Sequence, residues 1–168
     1  MKAIVAMAQN RAIGKNGGLP WPSIKEDFKW FKEFTMGQRL IVGWNTFNTL
    51  PKLKGRRGVV LDKRWDNNIM YSWSDLPFDG FCLRNPLGIW DGEKYGEGSF
   101  DVNEFPDAIV AGGAKTYEFL LPHITELYVT HVHGEYEADT FMPPFEHLFT
   151  HDELIKEFDK HMVVKYSK

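Results

Sequence analysis

The sequence predicts an α/β domain with a predominantly parallel sheet, and three observations carry that prediction. Short apolar runs alternate with short helical stretches, which is the pattern of strands joined by crossovers. Two of the runs end in glycine directly before a helix start, at Gly43 and at Gly112-Gly113. The segment Ile24 to Thr35 has a clear helical period. With 168 residues and no Ser/Pro/Gly-rich linker, the chain reads as one domain, 1–168. That length buries about 70% of the unfolded surface. The net charge of −3 is small and the basic residues are scattered, which excludes the electrostatic footprint of a nucleic-acid binder. A single cysteine, Cys82, excludes an internal disulfide. No apolar run has membrane length and the N-terminus lacks a signal pattern, so a soluble, cytoplasmic protein is expected. With no heptad seam, a monomer is the default.

Lys2 to Ala8 is a nearly continuous apolar run, as in a central strand covered on both faces. Gln9 to Ser23 contains Gly14, Gly17, Gly18, Pro20 and Pro22, and predicts a long loop without regular structure, a candidate lid. In the helix that follows, Ile24, Phe28, Trp30, Phe31 and Phe34 fall on one side and Lys25, Glu26, Lys29, Lys32 and Glu33 on the other. Asp27 falls on the apolar side. A carboxylate facing a core costs several kcal/mol unless it is paired or protonated. On the helix alone, two readings stand: a first-turn acid bonded to a nearby backbone N–H, or a carboxylate looking into a ligand pocket.

Arg39 to Gly43 predicts the second strand and Trp44 to Leu50 a short helix behind it. Such a junction can cradle a phosphate with its free backbone N–H groups. Gly58 to Leu61 is the third strand and Ile69 to Ser72 the fourth. Trp73 to Pro106 is rich in glycine and aromatic residues and shows no pattern. Asp107 to Ala111 is the fifth strand, and Gly112-Gly113 leads into a helix over Ala114 to Leu121. Leu127 to Val132 is a further strand, and Leu154 to Tyr166 supplies a last strand or hairpin. His131 and His133 share a strand face, but no further ligands are spaced to complete a metal site, so no metal is expected.

Taken together, Ile4-Val5-Ala6-Met7-Ala8, Ile13-Gly14, Leu19-Pro20-Trp21, Asp27 with Trp30-Phe31, Ile41-Val42-Gly43, Thr46-Phe47, Gly55-Arg56, Gly112-Gly113 and Tyr128-Val129-Thr130-His131 occur in the order found in dihydrofolate reductases, which the chain resembles over most of its length. The resemblance implies an eight-stranded, predominantly parallel sheet with an antiparallel C-terminal strand and helices on both faces. It implies reduction of 7,8-dihydrofolate, the small-molecule partner, by NADPH. Asp27 takes the place of the acid that binds the pterin 2-amino group and N3, a bidentate geometry suited to a carboxylate. Thr130 joins that network and Trp21 stands beside it. Val5, Phe28, Phe31, Leu50 and Leu53 match positions around the pterin and benzoyl rings. Arg56 matches the arginine that clamps the substrate's α-carboxylate; without the resemblance it reads as a solvated charge in a turn. On the cofactor side the matching positions are Ala6, Ile13, Gly14, Leu19, Gly43, Trp44, Asn45, Thr46, Leu61, Lys63, Arg64, Ala111, Gly112, Gly113, Ala114, Lys115, Thr116 and Tyr117. The glycine pair matches one that the family joins by a cis peptide.

Three departures stand out. Trp44 occupies a position where the family usually has a basic residue facing the adenosine 2′-phosphate, which leaves that role to Lys63, Arg64 and Lys115. Ala111 replaces a larger aliphatic residue. The helix usually found before the fifth strand is not legible in 73–106. Two other classes remain for comparison: an NADPH-dependent reductase of a riboflavin-pathway pyrimidine, and a non-catalytic descendant retained as a binding module.

Overall fold

A computed structural model of the chain describes residues 1–62, 70–71, 77–84 and 100–168. Most of the elements are strands: β1 (Lys2–Ala8), β2 (Ala12–Gly14), β3 (Arg39–Gly43), β4 (Leu53–Leu61), β5 (Met70–Tyr71), β6 (Phe78–Arg84), β7 (Ile109–Gly112), β8 (Glu126–Val132), β9 (Thr140–Phe141), β10 (His151–Glu157) and β11 (His161–Ser167). The helices are α1 (Lys25–Thr35), α2 (Trp44–Phe47) and α3 (Ala114–Leu120). The main sheet runs β10-β11-β8-β1-β7-β3-β4-β6-β5. From β8 to β6 every neighbouring pair is parallel, and β11 joins β8 antiparallel. This is the expected eight-stranded arrangement with a two-residue ninth strand, β5, added at the edge.

The apolar run of β1 takes the central place because both of its faces are covered. Ala3, Val5 and Met7 point into one core with α3 residues Tyr117 and Leu120. Ile4 points into the other, with Trp30, Phe31 and Phe34 of α1 and Phe47 of α2. Helices therefore cover both faces.

The structure corrects the sequence reading in three places. The loop after β1 holds a regular element: Ala12 pairs with Phe141 and Gly14 with Thr140 in a separate two-stranded sheet. Strand β4 begins at Leu53 rather than Gly58, which puts Arg56 on a strand and not in a turn. The 73–106 stretch contains β6, whose Phe78 and Phe81 are buried beside β4. Its Asp79 interrupts the apolar pattern because the carboxylate is used locally, accepting the Gly55 N–H at 2.8 Å. Of the two alternatives for the C-terminal segment, a last strand or a hairpin, the chain forms the hairpin, β10–β11.

Candidate active site

Asp27 lies in the first turn of α1, behind Ile24, which makes no side-chain cap. It is 8% exposed, and its Oδ1 accepts the Thr130 hydroxyl proton at 2.7 Å across 103 residues of sequence. Both sequence readings therefore contributed: the position is that of a first-turn acid, but the hydrogen bond is tertiary. Burial raises the Asp27 pKa, while the Thr130 hydrogen bond and the charge of His161 act in the opposite sense. A carboxyl group in that environment can hold a proton at a higher pH than an exposed aspartic acid.

The register fixes what surrounds it. Ala6 pairs with Thr130 and Ile4 with Tyr128, so these four side chains share one face of the sheet. Phe31 and Leu50 pack against the same core as Ile4, and Leu53 is buried in it. Phe28, expected among the buried side chains, is 48% exposed and stands clear of the packed part of the helix. Val5 is a correction. Its side chain alternates to the opposite face and lies in the core with Tyr117, so Ile4 is the β1 residue presented toward Asp27. An apolar run covered on both sides carries no alternation to tell the two apart. Trp21 is 5% exposed, meets Tyr136 edge-on at 5.9 Å, and its Nε1–H has no partner among the described residues.

Arg56 is 5% exposed, with Nη1 3.7 Å from Met36 Sδ and a buried Nε that lacks a hydrogen-bond partner. Burial lowers its pKa and the charge of Asp79 acts the other way. It lines a cavity of ≈ 450 Å³ with Lys32, Met36, Lys52, Lys54 and Gly55, a wall dominated by positive charge. Gly55 has φ +77°, and a Cβ there would meet Met36 Sδ at 2.5 Å, so glycine is required for this approach. A second cavity, ≈ 600 Å³, is lined by Arg39, Arg57, Asp79, Glu104 and others toward the N-terminal ends of β3, β4 and β7, and shares Gly55 with the first. It contains none of the expected site residues.

The two strand–glycine–helix junctions meet. Val42 pairs with Gly112, and Gly112-Gly113 is a cis peptide. A Cβ on Gly43 would come within 2.8 Å of Thr116 Oγ1, and one on Gly113 within 2.8 Å of Thr46 Oγ1. Each helix start thus lies over the other strand's glycine. Trp44 and Ala111 are half-buried here, Thr46 and Ala114 partly open, and Asn45 and Lys115 exposed. Thr116 and Tyr117 are buried, and the Tyr117 hydroxyl donates to the Ile4 carbonyl at 2.6 Å. Leu61 is also buried and pairs with Gly43. Lys63 and Arg64 lie outside the described residues.

The candidate lid is strapped down at its root. Arg11, at φ 67°, donates from Nε to the Met142 carbonyl at 3.0 Å, from Nη2 to the Pro143 carbonyl at 2.7 Å, and from Nη1 to Glu146 Oε1 at 2.6 Å. The Asn16 N–H donates to Asp139 Oδ2 at 2.8 Å. Ile13 and Gly14 are half-buried in this strap, whereas Leu19, past the glycine pair, is 41% exposed.

A family model for dihydrofolate reductase matches residues 1–75 and 96–166, skipping the middle of the aromatic-rich stretch. Over 183 aligned residues the chain is 30% identical to the dihydrofolate reductase type 8 of Escherichia coli, covering 100% of this chain and 95% of that one. It is 32% identical over 148 residues to the dihydrofolate reductase of Bacillus subtilis (strain 168), covering 85% and 75%. Among solved structures it resembles a dihydrofolate reductase from Enterococcus faecalis complexed with NADP(H) and RAB-propyl. The TM-score is 0.67 at 25% identity, covering 99% of this chain and 94% of that one.

Proposed function

Since the chain belongs to the dihydrofolate reductase family, we propose that it reduces 7,8-dihydrofolate to tetrahydrofolate with NADPH, and that Asp27 and Thr130 hold the pterin. The observation that carries this is the Asp27–Thr130 pair: a buried carboxylate whose one recorded hydrogen bond leaves its second oxygen for a guest. An aminopyrimidine ring offers two parallel N–H donors, which a carboxylate accepts in bidentate fashion.

The residues present fit the dinucleotide. At Gly43 and Gly113 the missing Cβ atoms let Thr116 and Thr46 pack against the strand ends, which brings the starts of α2 and α3 together, and the N–H groups of those helix starts are the donors a diphosphate would meet. Bound there, the cofactor supplies the hydride. The protein's share is orientation and electrostatics. Asp27 polarises the ring through N3 and the 2-amino group and raises the basicity of N5, which takes up the proton that balances the hydride, and the neighbouring C6 becomes electron-poor once N5 is protonated. Its raised pKa brings proton exchange closer to the working pH. Ile4, Phe28, Phe31 and Leu50 supply the apolar walls that a ring system requires. Arg56, which lines a basic cavity and whose Nε–H has no partner among the described residues, takes the α-carboxylate of the glutamate tail.

All of these groups come from one chain, which supports a monomeric enzyme. Among the described residues no helix is long and apolar enough to cross a membrane. The family and the half-buried, unpaired thiol of Cys82 support a cytoplasmic setting. The test is the fall in absorbance at the nicotinamide band when the protein meets NADPH and dihydrofolate. The ribosylated pyrimidine of riboflavin synthesis serves as control, and consumption of NADPH with that substrate alone would overturn the assignment.

A further inference from the structure

Strand β11 carries a polar side chain that this reading leaves unused. His161 is 1% exposed, and neither Nδ1 nor Nε2 has a hydrogen-bond partner among the described residues. Buried polar groups are normally paired, so an exception calls for an explanation. The ring is held in place: it stacks on Phe158 with centroids 4.5 Å apart and planes 13° apart, and the Phe158 N–H donates to the His161 carbonyl at 2.8 Å.

The register shows where the ring lies. In the antiparallel β8–β11 pair His161 is opposite Val132 and Val163 is opposite Thr130. Opposed residues share a face, as do residues two apart on a strand. His161 is thus a diagonal neighbour of Thr130 on the face that Asp27 covers, and diagonal neighbours are about 7–8 Å apart. Imidazole, hydroxyl and carboxylate follow one another in a row, the last two in contact at 2.7 Å.

The other ionisable groups on the neighbouring strands have other surroundings: Lys156 of β10, opposite Val163 and so on the His161 face, is exposed and lies over the Trp30 ring at 5.9 Å. His131 is on the other face of β8, bonded to Tyr166. Lys165, further along the His161 face, lies over Tyr128 and is paired with Glu126 at 2.6 Å. Glu157, Asp159 and Lys160, in and beside the turn before β11, are exposed, as are His133 on β8's far end and Lys25 and Glu26 on α1. From β1 the face presents Ile4, Ala6 and Ala8 and, at the start of the strand, Lys2, which is paired with Glu126 at 3.3 Å.

We propose that His161 is a positioning residue for Asp27: its charge, one diagonal step beyond Thr130, sets the pH range over which Asp27 holds its proton and hence the pH range of hydride transfer. The proposal rests on the reading of Asp27 as the substrate-facing acid. An imidazolium favours the carboxylate form of a neighbour, and burial leaves the interaction poorly screened. Among the described residues the charge that acts on Asp27 is that of His161, and it opposes the effect of burial.

The test uses two variants that remove the charge: His161→Phe, which keeps a ring against Phe158, and His161→Gln, which keeps polarity. Folding is checked by thermal melting, and either folded variant decides the question. Asp27 is followed by its ¹³Cγ resonance in aspartate-labelled protein, and hydride transfer by single turnover across pH. The Asp27 midpoint should rise by about half to one pH unit, and the pH at which hydride transfer falls to half should move with it. At a fixed pH above that point the rate should increase roughly 3- to 10-fold. A residue that serves packing alone changes melting temperature without moving either midpoint. An unmoved Asp27 midpoint, with Asp27→Asn still inactive, overturns the role of His161 and leaves the substrate site standing. Parent-like turnover by Asp27→Asn at neutral pH overturns the reading of Asp27 itself.

Discussion

Asp27 stands out in the sequence because helical periodicity puts a carboxylate where only apolar side chains belong, and its partner Thr130 follows only from tertiary structure. Its stability signature has a definite sign. Burial raises the folded-state pKa above the unfolded value of 3.8. The folded protein therefore binds more protons between those two values, and stability falls as pH rises through that window. Asp27→Asn removes the charge at similar shape. It should stabilise the protein by about 1 kcal/mol at neutral pH, or about 2–4 °C in melting temperature, with the gain vanishing in acid. The same variant should lose roughly 10²–10⁴-fold in hydride transfer at neutral pH. The loss should be partly recovered in acid, where dihydrofolate is protonated before it binds. Melting curves and single-turnover pH profiles of parent and variant check both statements, and a variant less stable at neutral pH would contradict the first. Arg56 was ambiguous in sequence because two adjacent arginines beside a glycine suggest a turn. On β4 one of them is buried with an unpaired Nε. Arg56→Ala should weaken dihydrofolate by about 1.5–3 kcal/mol and a pterin lacking the glutamate tail much less. Equal weakening of both, measured as dissociation constants, removes the clamp. The identity of the β1 residue facing the pocket was beyond sequence, since Ile4 and Val5 are equally apolar.

The elements with an unbroken apolar or helical period, β1, β3, α1 and β8, match the sequence reading within a residue or so. Those that differ do so for local reasons. Strand β6 is interrupted in sequence by Asp79 and Gly80, and the first of these spends its carboxylate on the Gly55 N–H of β4. The hairpin within the lid had a signal that a search for apolar runs passes over. Asn16 and Gly17 have φ 50° and 79°, and Lys15 and Gly18 exchange backbone hydrogen bonds of 2.9 and 3.0 Å. Positive φ at both central residues is what an Asn-Gly turn of type I′ requires. The lid is therefore a short hairpin fastened to 139–146 by Arg11, Asp139 and the β2–β9 pairing, with Gly17-Gly18-Leu19 at its exposed tip. Deleting Gly17 and Gly18 should leave the main sheet and its melting transition intact, because the strap and β1 lie before the deletion. It should slow single-turnover hydride transfer by shortening the arm that presents the exposed Leu19. Equal single-turnover rates in deleted and parent proteins would remove the lid role.

At the scale of the molecule, parallel order from β8 to β6 brings the C-terminal ends of β1, β3 and β7 side by side, and ligands bind at such edges. The residues proposed for the substrate come from one face and those proposed for the cofactor from the strand ends, so on this reading the sheet itself sets the relation between the two ligands. This level was legible in the sequence because the strand–glycine–helix junctions repeat. The adenosine end was not, because Trp44 replaces the usual basic residue. Gly43 pairs with Leu61, so the chain leaving β4 emerges beside the start of α2, and Lys63 and Arg64 follow within three residues. The 2′-phosphate distinguishes NADPH from NADH and adds negative charge that these two cations are placed in the chain to meet. A ligand at about 100 times its dissociation constant stabilises the folded state by about 2.7 kcal/mol, on the order of 5–10 °C for a chain of this length. At equal concentrations NADPH should therefore raise the melting temperature more than NADH does. Replacing Lys63 and Arg64 with glutamine should reduce the NADPH shift while leaving the NADH shift nearly unchanged, and the remaining NADPH binding should lose much of its salt dependence. If the difference between the two cofactors survives the double replacement, the phosphate is held elsewhere. Lys115, exposed at the start of α3, is then the next cation to replace.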